Sequence, residues 1–84
     1  MDSAKITAVV IAQNEEQMIA NCLETLKWCD EVLVVDSGST DRTAELASMQ
    51  GIRVIPTSSR QTFAELRNLG LKHAKHPWIL YIDA

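Results

Sequence analysis

The run Val32-Leu33-Val34-Val35-Asp36-Ser37-Gly38-Ser39-Thr40-Asp41 decides the fold. Four apolar residues lead into an acid, then a Ser/Gly/Thr turn, then a helix-like segment. An unbroken apolar run closed by turn residues reads as a strand buried on both faces. Such strands belong to parallel sheets, whose ligands bind just beyond the carboxyl ends. Asp36 stands at such an end. It can meet a ligand there, or it can bond back to the turn's own N–H groups, as Asp and Ser readily do.

Upstream, Ile6 to Ala12 is β-branched and almost wholly apolar, a second buried strand. Gln13-Asn14-Glu15-Glu16 ends it and opens a helix, with acids suited to the positive end of the helix dipole. Met18, Ile19, Cys22, Leu23 and Leu26 then recur at helical spacing as one apolar stripe, which stops near Lys27 or Trp28.

Downstream, Thr40 is the expected N-cap of a helix, with Asp41 in its first turn, and Gln50-Gly51 ends it. Ile52 to Ile55 is a short strand closed by Pro56. Thr62 is the expected cap of a third helix in which Phe63, Leu66, Gly70 and Ala74 share a face. Lys72 to His76 places positive character near its carboxyl end, and Pro77 breaks it. Trp78 to Ile82 is the fourth strand, ending on Asp83-Ala84. The pattern β-α-β-α-β-α-β implies an α/β fold: an open parallel sheet with helices over its faces.

Composition narrows the classes. Hydrophobic residues make up 46% of the 84 and charged residues 23%, an ordinary globular balance. A net charge of -3 with scattered Lys and Arg argues against nucleic-acid binding by bulk electrostatics and against docking on an anionic membrane. No apolar run approaches the ~20 residues of a membrane span. Asn14-Glu15-Glu16 arrives too early for a signal peptide, so a cytoplasmic location is expected. Cys22 and Cys29 fit neither a redox pair nor a zinc set, and Cys22 reads as a small core residue. Trp28 and Trp78 read as packing anchors.

Three carboxylates, Glu15, Asp36 and Asp83, fall at or just after carboxyl ends of expected strands. If strands one, two and four are neighbours, they line one edge of the sheet. Acids there can accept hydrogen bonds from a ribose or base, or hold a hard divalent cation with phosphate oxygens. Arg67, on the face of the third helix away from Phe63, could reach over the same edge, or it is simply a solvent-exposed arginine. His73 and His76 read as helix-end dipole partners rather than a catalytic base. Neither G-x-G-x-x-G nor G-x-x-x-x-G-K-[ST] occurs, which disfavours dinucleotide-binding and P-loop readings. In a doubly wound sheet the fourth strand lies beside the first. With nothing after its carboxyl end, half a ligand crevice is unbuilt. Residues 1–84 therefore read as one α/β domain, the front part of a larger one, with self-association expected to cover the open sheet.

Four segments carry a family resemblance: Val9 to Glu16, Glu31 to Thr43, Arg67-Asn68, and Trp78 to Ala84. In this order and spacing the chain resembles the amino-terminal, nucleotide-sugar-binding part of a family 2 glycosyltransferase with the GT-A fold. The Asn14-Glu15-Glu16 and Asp36 to Asp41 wording and the Lys27-Trp28-Cys29-Asp30-Glu31 junction are similar to the bacterial glucosyltransferases of lipopolysaccharide core synthesis. The resemblance implies roles residue by residue. The loop from Ala12 through Asn14 to Glu15 would wrap the nucleotide, partly through backbone groups. Asp36 would bond the uracil or ribose of a UDP-sugar, and Arg67 would sit near the base and diphosphate. Asp83 would be the first acid of a D-x-D motif holding Mg²⁺ or Mn²⁺ on the diphosphate. The implied acceptor is lipid-linked or a lipopolysaccharide core, and the implied location is cytoplasmic or peripheral at the inner membrane. No residue is assigned as catalytic base, and the chain alone is expected to transfer no sugar. A stand-alone nucleotide-binding module and a purely structural α/β domain are the alternative readings.

Overall fold

A computed structural model describes residues 4–84. Along the chain it contains β1 (Ile6–Ala12), α1 (Ile19–Glu24), β2 (Glu31–Ser37), α2 (Thr43–Met49), β3 (Arg53–Thr57), α3 (Phe63–His73) and β4 (Trp78–Asp83). The strands form one parallel sheet in the order β3-β2-β1-β4. β1 lies between β2 and β4, which is where its almost wholly apolar sequence requires it to be. The strand has no polar face to give to water. Alternate residues of β1 and β2 feed two cores. Ala8, Val10, Ala12 and Val34 pack with Ile19, Leu23 and Leu26 of the α1 region and Ala47 of α2. Val9, Ile11, Leu33 and Val35 pack with Leu66 of α3.

Several boundaries depart from the sequence expectation. β2 runs on through Asp36 to Ser37. Pro56 lies within β3 rather than closing it. β3 is an edge strand, where a missing N–H is tolerated. α1 is only six residues long and has no side-chain cap and no acid in its first turn. Glu15 and Glu16 do not serve its dipole, because they belong to the preceding loop. Met18 is exposed, so the apolar stripe is narrower than expected, while Cys22 is partly buried against the core. Trp28 and Trp78 are exposed and anchor no core. Among the described residues no helix is long and apolar enough to cross a membrane.

α3 starts as expected. Thr62 accepts a hydrogen bond from the Glu65 backbone N–H, and Glu65 accepts one from Thr62 N, a reciprocal capping box. Leu66 and Gly70 are buried, Ala74 partly so, but Phe63 is half exposed. Gly70 sets how close α3 comes to the sheet. A Cβ placed there would lie 2.3 Å from Val9 Cγ1 and 3.4 Å from Val35 Cγ2, both on fully buried side chains. Gly70→Ala gains about 1 kcal/mol of helix propensity, but the overlap forces α3 off the sheet at a cost of about 1–3 kcal/mol. We expect a net loss in denaturant melts, relieved when Val9→Ala is added. An additive double mutant would refute the contact.

The opposite, amino-terminal edge is tied by Glu31. Its carboxylate accepts hydrogen bonds from Thr7 Oγ1 and Lys75 N, both at 2.8 Å. Burial pushes its pKa up, but the Lys75 N–H and Thr7 hydroxyl outweigh this and hold it below the usual glutamate range. A carboxylate depressed in the fold stabilises above its unfolded pKa, and that contribution fades as pH falls through the depressed value. Stability should decline below about pH 4.5. Glu31→Gln should lower stability at pH 7 by about 1 kcal/mol and flatten part of that acid limb. An unchanged pH profile for the variant would sink this account.

Candidate active-site edge

The carboxyl edge of the sheet is where the acids gather. The register pairs Ala12 with Asp36 across β1–β2 and Ile11 with Asp83 across β1–β4. Asp36 and Asp83 therefore end at nearly one level, on the two strands that flank β1. At the usual strand spacing their backbones are about 10 Å apart. They share an edge but not a face. By alternation along the strands, Asp36 follows Val34 toward the α1/α2 side, and Asp83 follows Tyr81 toward the α3 side.

The loops after β1 and β2 are latched together by side chains. Asn14 N donates to Ser39 Oγ at 2.9 Å, Glu15 N to Thr43 Oγ1 at 2.8 Å, and Glu16 N to Asp41 Oδ2 at 3.2 Å. In return Thr40 N donates to Asn14 Oδ1 at 2.8 Å and Arg42 N to Glu16 Oε2 at 3.2 Å. The carboxylate of Asp36, only 6% exposed, accepts from both the N–H and the hydroxyl of Ser39. A continuous chain of bonds thus runs from Asp36 through Ser39 to Asn14. Asp41, not Thr40, organises the start of α2, by accepting from the N–H and hydroxyl of Thr43. The Thr43 hydroxyl, and after it the Thr43 and Glu16 N–H groups, hold the Asp41 carboxyl below the usual range against its partial desolvation.

Two residues adopt left-handed backbone conformations to make this possible. Asn14 has φ +53° and Gly38 has φ +65°. Asparagine tolerates that region better than other side chains. At Gly38 a Cβ would also lie 2.7 Å from Ser59 N, so the β3–α3 loop closes directly onto the β2 loop.

A cavity of about 310 Å³ opens between this edge and the start of α3. Ala12, Glu15, Ser37, Phe63, Leu66 and Asp83 are among its walls. A second cavity of about 360 Å³ lies toward α1 and again has Glu15 and Asp83 in its lining, with Met18 and Cys22. Of the residues singled out in the sequence, the structure brings Ala12, Glu15 and Asp83 to one cavity. Asn14 is exposed and spent on the latch, and Asp36 stands behind Ser37 and outside the lining. Arg67 also lies outside it. Its guanidinium sits 4.9 Å from the Tyr81 ring centroid and 5.9 Å from that of Phe63. Arg67 and Phe63 are four apart and share a helix face, contrary to the sequence expectation. The backbone N–H groups of residues 14 to 16 are donated to β2-loop side chains. Sequence reasoning missed Ser39, Asp41, Thr43 and Phe63. The density of hydroxyls and acids after β2 was the available signal for the first three.

Glu15 and Asp83 could hold a divalent cation. Among the described residues no three His, Cys, Asp or Glu groups converge into a cage. Mg²⁺-like ions on a diphosphate need only one or two protein carboxylates, the phosphates and water supplying the rest. The residues present fit that kind of site.

A four-stranded parallel sheet interleaved with helices, with its acids at the carboxyl edge, is the architecture of the GT-A glycosyltransferases. The model of glycosyl transferase family 2 matches residues 7–84, and the chain belongs to that family. It is 36% identical over 84 residues to the lipopolysaccharide core biosynthesis glycosyltransferase LpsC of Rhizobium meliloti, covering 94% of this chain and 31% of that protein. It is 33% identical over 82 residues to a TPR repeat-containing protein of Synechococcus elongatus, covering 96% and 20%. Among solved structures it matches the glucosyl-3-phosphoglycerate synthase of Mycobacterium tuberculosis in complex with Mn²⁺, UDP-glucose and glycerol 3-phosphate. That match has a TM-score of 0.84 and 28% identity, covering 96% of this chain and 34% of that one. The chain thus spans about a third or less of the length of these relatives.

The latch makes a direct prediction. Asn14→Ala puts at φ +53° a residue that tolerates the left-handed region less well than asparagine, and removes the Thr40 bonds, which should cost about 2–3 kcal/mol. Asn14→Gly removes only the bonds and should cost about 1 kcal/mol. Equal losses in thermal melts would show that the left-handed turn is not what asparagine supplies.

Proposed function

We propose that this chain forms the nucleotide-sugar side of a UDP-sugar-dependent glycosyltransferase that builds a cell-envelope glycan. The observation that carries the reading is the placement of Asp36 and Asp83 at one level on the strands flanking β1. The likeness to a synthase crystallised with UDP-glucose and Mn²⁺ supports the donor and metal. The likeness to LpsC supports a lipopolysaccharide-core acceptor.

In this reading Asp83, with Glu15 across the same cavity, holds Mg²⁺ or Mn²⁺ against the diphosphate. The ion, when bound, supplies Lewis-acid stabilisation of charge on the departing UDP. The chain's own residues orient the donor. Asp36 retains acceptor capacity, because a carboxylate has about four lone-pair sites and Ser39 uses two. That remainder suits a ribose hydroxyl or a base N–H. The latched loops hold Ala12, Asn14 and Glu15 in place before the donor arrives, so little ordering entropy is lost on binding. Arg67, outside the cavity and stacked on Tyr81 two residues before Asp83, is assigned to the base end of the donor rather than to the diphosphate.

Calorimetric titration of the 84-residue chain with UDP tests this. We expect saturable binding that Mn²⁺ strengthens. Asp83→Asn should remove about tenfold or more of the Mn²⁺-supported affinity. Asp83 is exposed, so its melting temperature should hardly move. Binding that ignores Mn²⁺, or no saturable binding at all, would overturn the proposal.

A further inference from the structure

We infer that Phe63 is the stacking face for the base of the nucleotide donor, an inference that rests on the function proposed above. Helical spacing alone assigns Phe63 to the buried stripe of α3 with Leu66 and Gly70. It is instead 53% exposed, with part of its surface forming a wall of the 310 Å³ cavity at the carboxyl edge.

Two features hold the ring there. The Thr62–Glu65 capping box fixes the backbone on either side of residue 63. One turn on, the Arg67 guanidinium lies 5.9 Å from the Phe63 centroid and 4.9 Å from that of Tyr81, tying the phenyl to β4. The phenyl is therefore a steadied surface rather than a free one.

The charge of the cavity selects which end of a sugar nucleotide meets this surface. Its charged side chains are both acids, Glu15 and Asp83, and no Lys or Arg lines it. A bare diphosphate is repelled there and needs a cation at the Asp83 side. The base is the flat, uncharged end of the donor. It offers a π-face to Phe63 and an N–H to the Ser37 hydroxyl in the same lining. Stacking of a base on an aromatic side chain is worth about 1–3 kcal/mol, or about 5- to 150-fold in affinity.

Two ligands, UDP and inorganic pyrophosphate, each titrated with Mn²⁺ into the same protein, test the assignment. Phe63→Ala should weaken UDP by about 5- to 150-fold and leave pyrophosphate within about twofold. Phe63→Tyr should keep UDP affinity, whereas Phe63→Leu, apolar but without a π-face, should lose it. UDP affinity unchanged in Phe63→Ala, full affinity in Phe63→Leu, or a parallel loss of pyrophosphate would each overturn the assignment. Absence of UDP binding in the unaltered chain would sink the proposed function and this inference together. Loss of the expected Phe63 pattern alone sinks only the inference.

Discussion

β1 has no face it can show to water. Every residue from Thr7 to Ala12 is buried, and only a central position in a sheet covered on both sides satisfies that. β2 and β4 must then flank it, and helices must cover both faces. Everything at the carboxyl edge follows from this. β2 and β4 run parallel to β1, so their terminal acids arrive at the level of β1's own end. A different partner for β1 would take Asp83 away from the level of Asp36 and out of the cavity it shares with Glu15. Gly70 belongs to the same constraint, because it lets α3 approach Val9 and close the second face.

The second layer of organisation is polar. A buried sheet delivers strand ends accurately, but the loops beyond them need their own order. The β1 and β2 loops obtain it from each other. Hydroxyls and carboxylates of residues 36 to 43 take the N–H groups of residues 14 to 16, and Asn14 and Glu16 answer with their side chains. Exposed hydrogen bonds are individually weak, each worth about 1 kcal/mol or less. Their number and closed pattern make the two loops one unit. Ser37, between the buried end of β2 and this unit, faces the cavity as a consequence.

The parallel sheet and the place of β4 beside β1 were legible in the sequence, because unbroken apolar runs and βαβ alternation point to a doubly wound sheet. The Thr62 cap was legible for the same local reason, a Thr three residues before a Glu. The exposed state of Trp28 and Trp78 was not, because hydropathy ranks a residue type and not the room available beside it. The role of Asp41 was hidden by Thr40, an equally good cap on local grounds, and tertiary pairing with Glu15 and Glu16 decided between them. Phe63 was hidden for a subtler reason. Four residues matched one helical stripe, yet the first of the four, in the opening turn of α3, stands over the cavity and not in the core.

The two edge acids are held differently, and that difference bears on what each can do. Asp36 is buried, and both its oxygens are engaged by Ser39, whose hydroxyl in turn holds the Asn14 N–H. Moving it would break both bonds to Ser39 and disturb the two loops that Ser39 joins. It is therefore a fixed acceptor, able to favour one orientation of a ligand but not to follow it. Asp83 ends an edge strand, is exposed, and borders both cavities. Its carboxylate can reorient at the cost of side-chain entropy alone. A fixed acid beside a mobile one suits a ligand with a rigid end and a flexible, charged end. The rigid end gains from preorganised partners, while the charged end tolerates only a group that can adjust as its charge is neutralised.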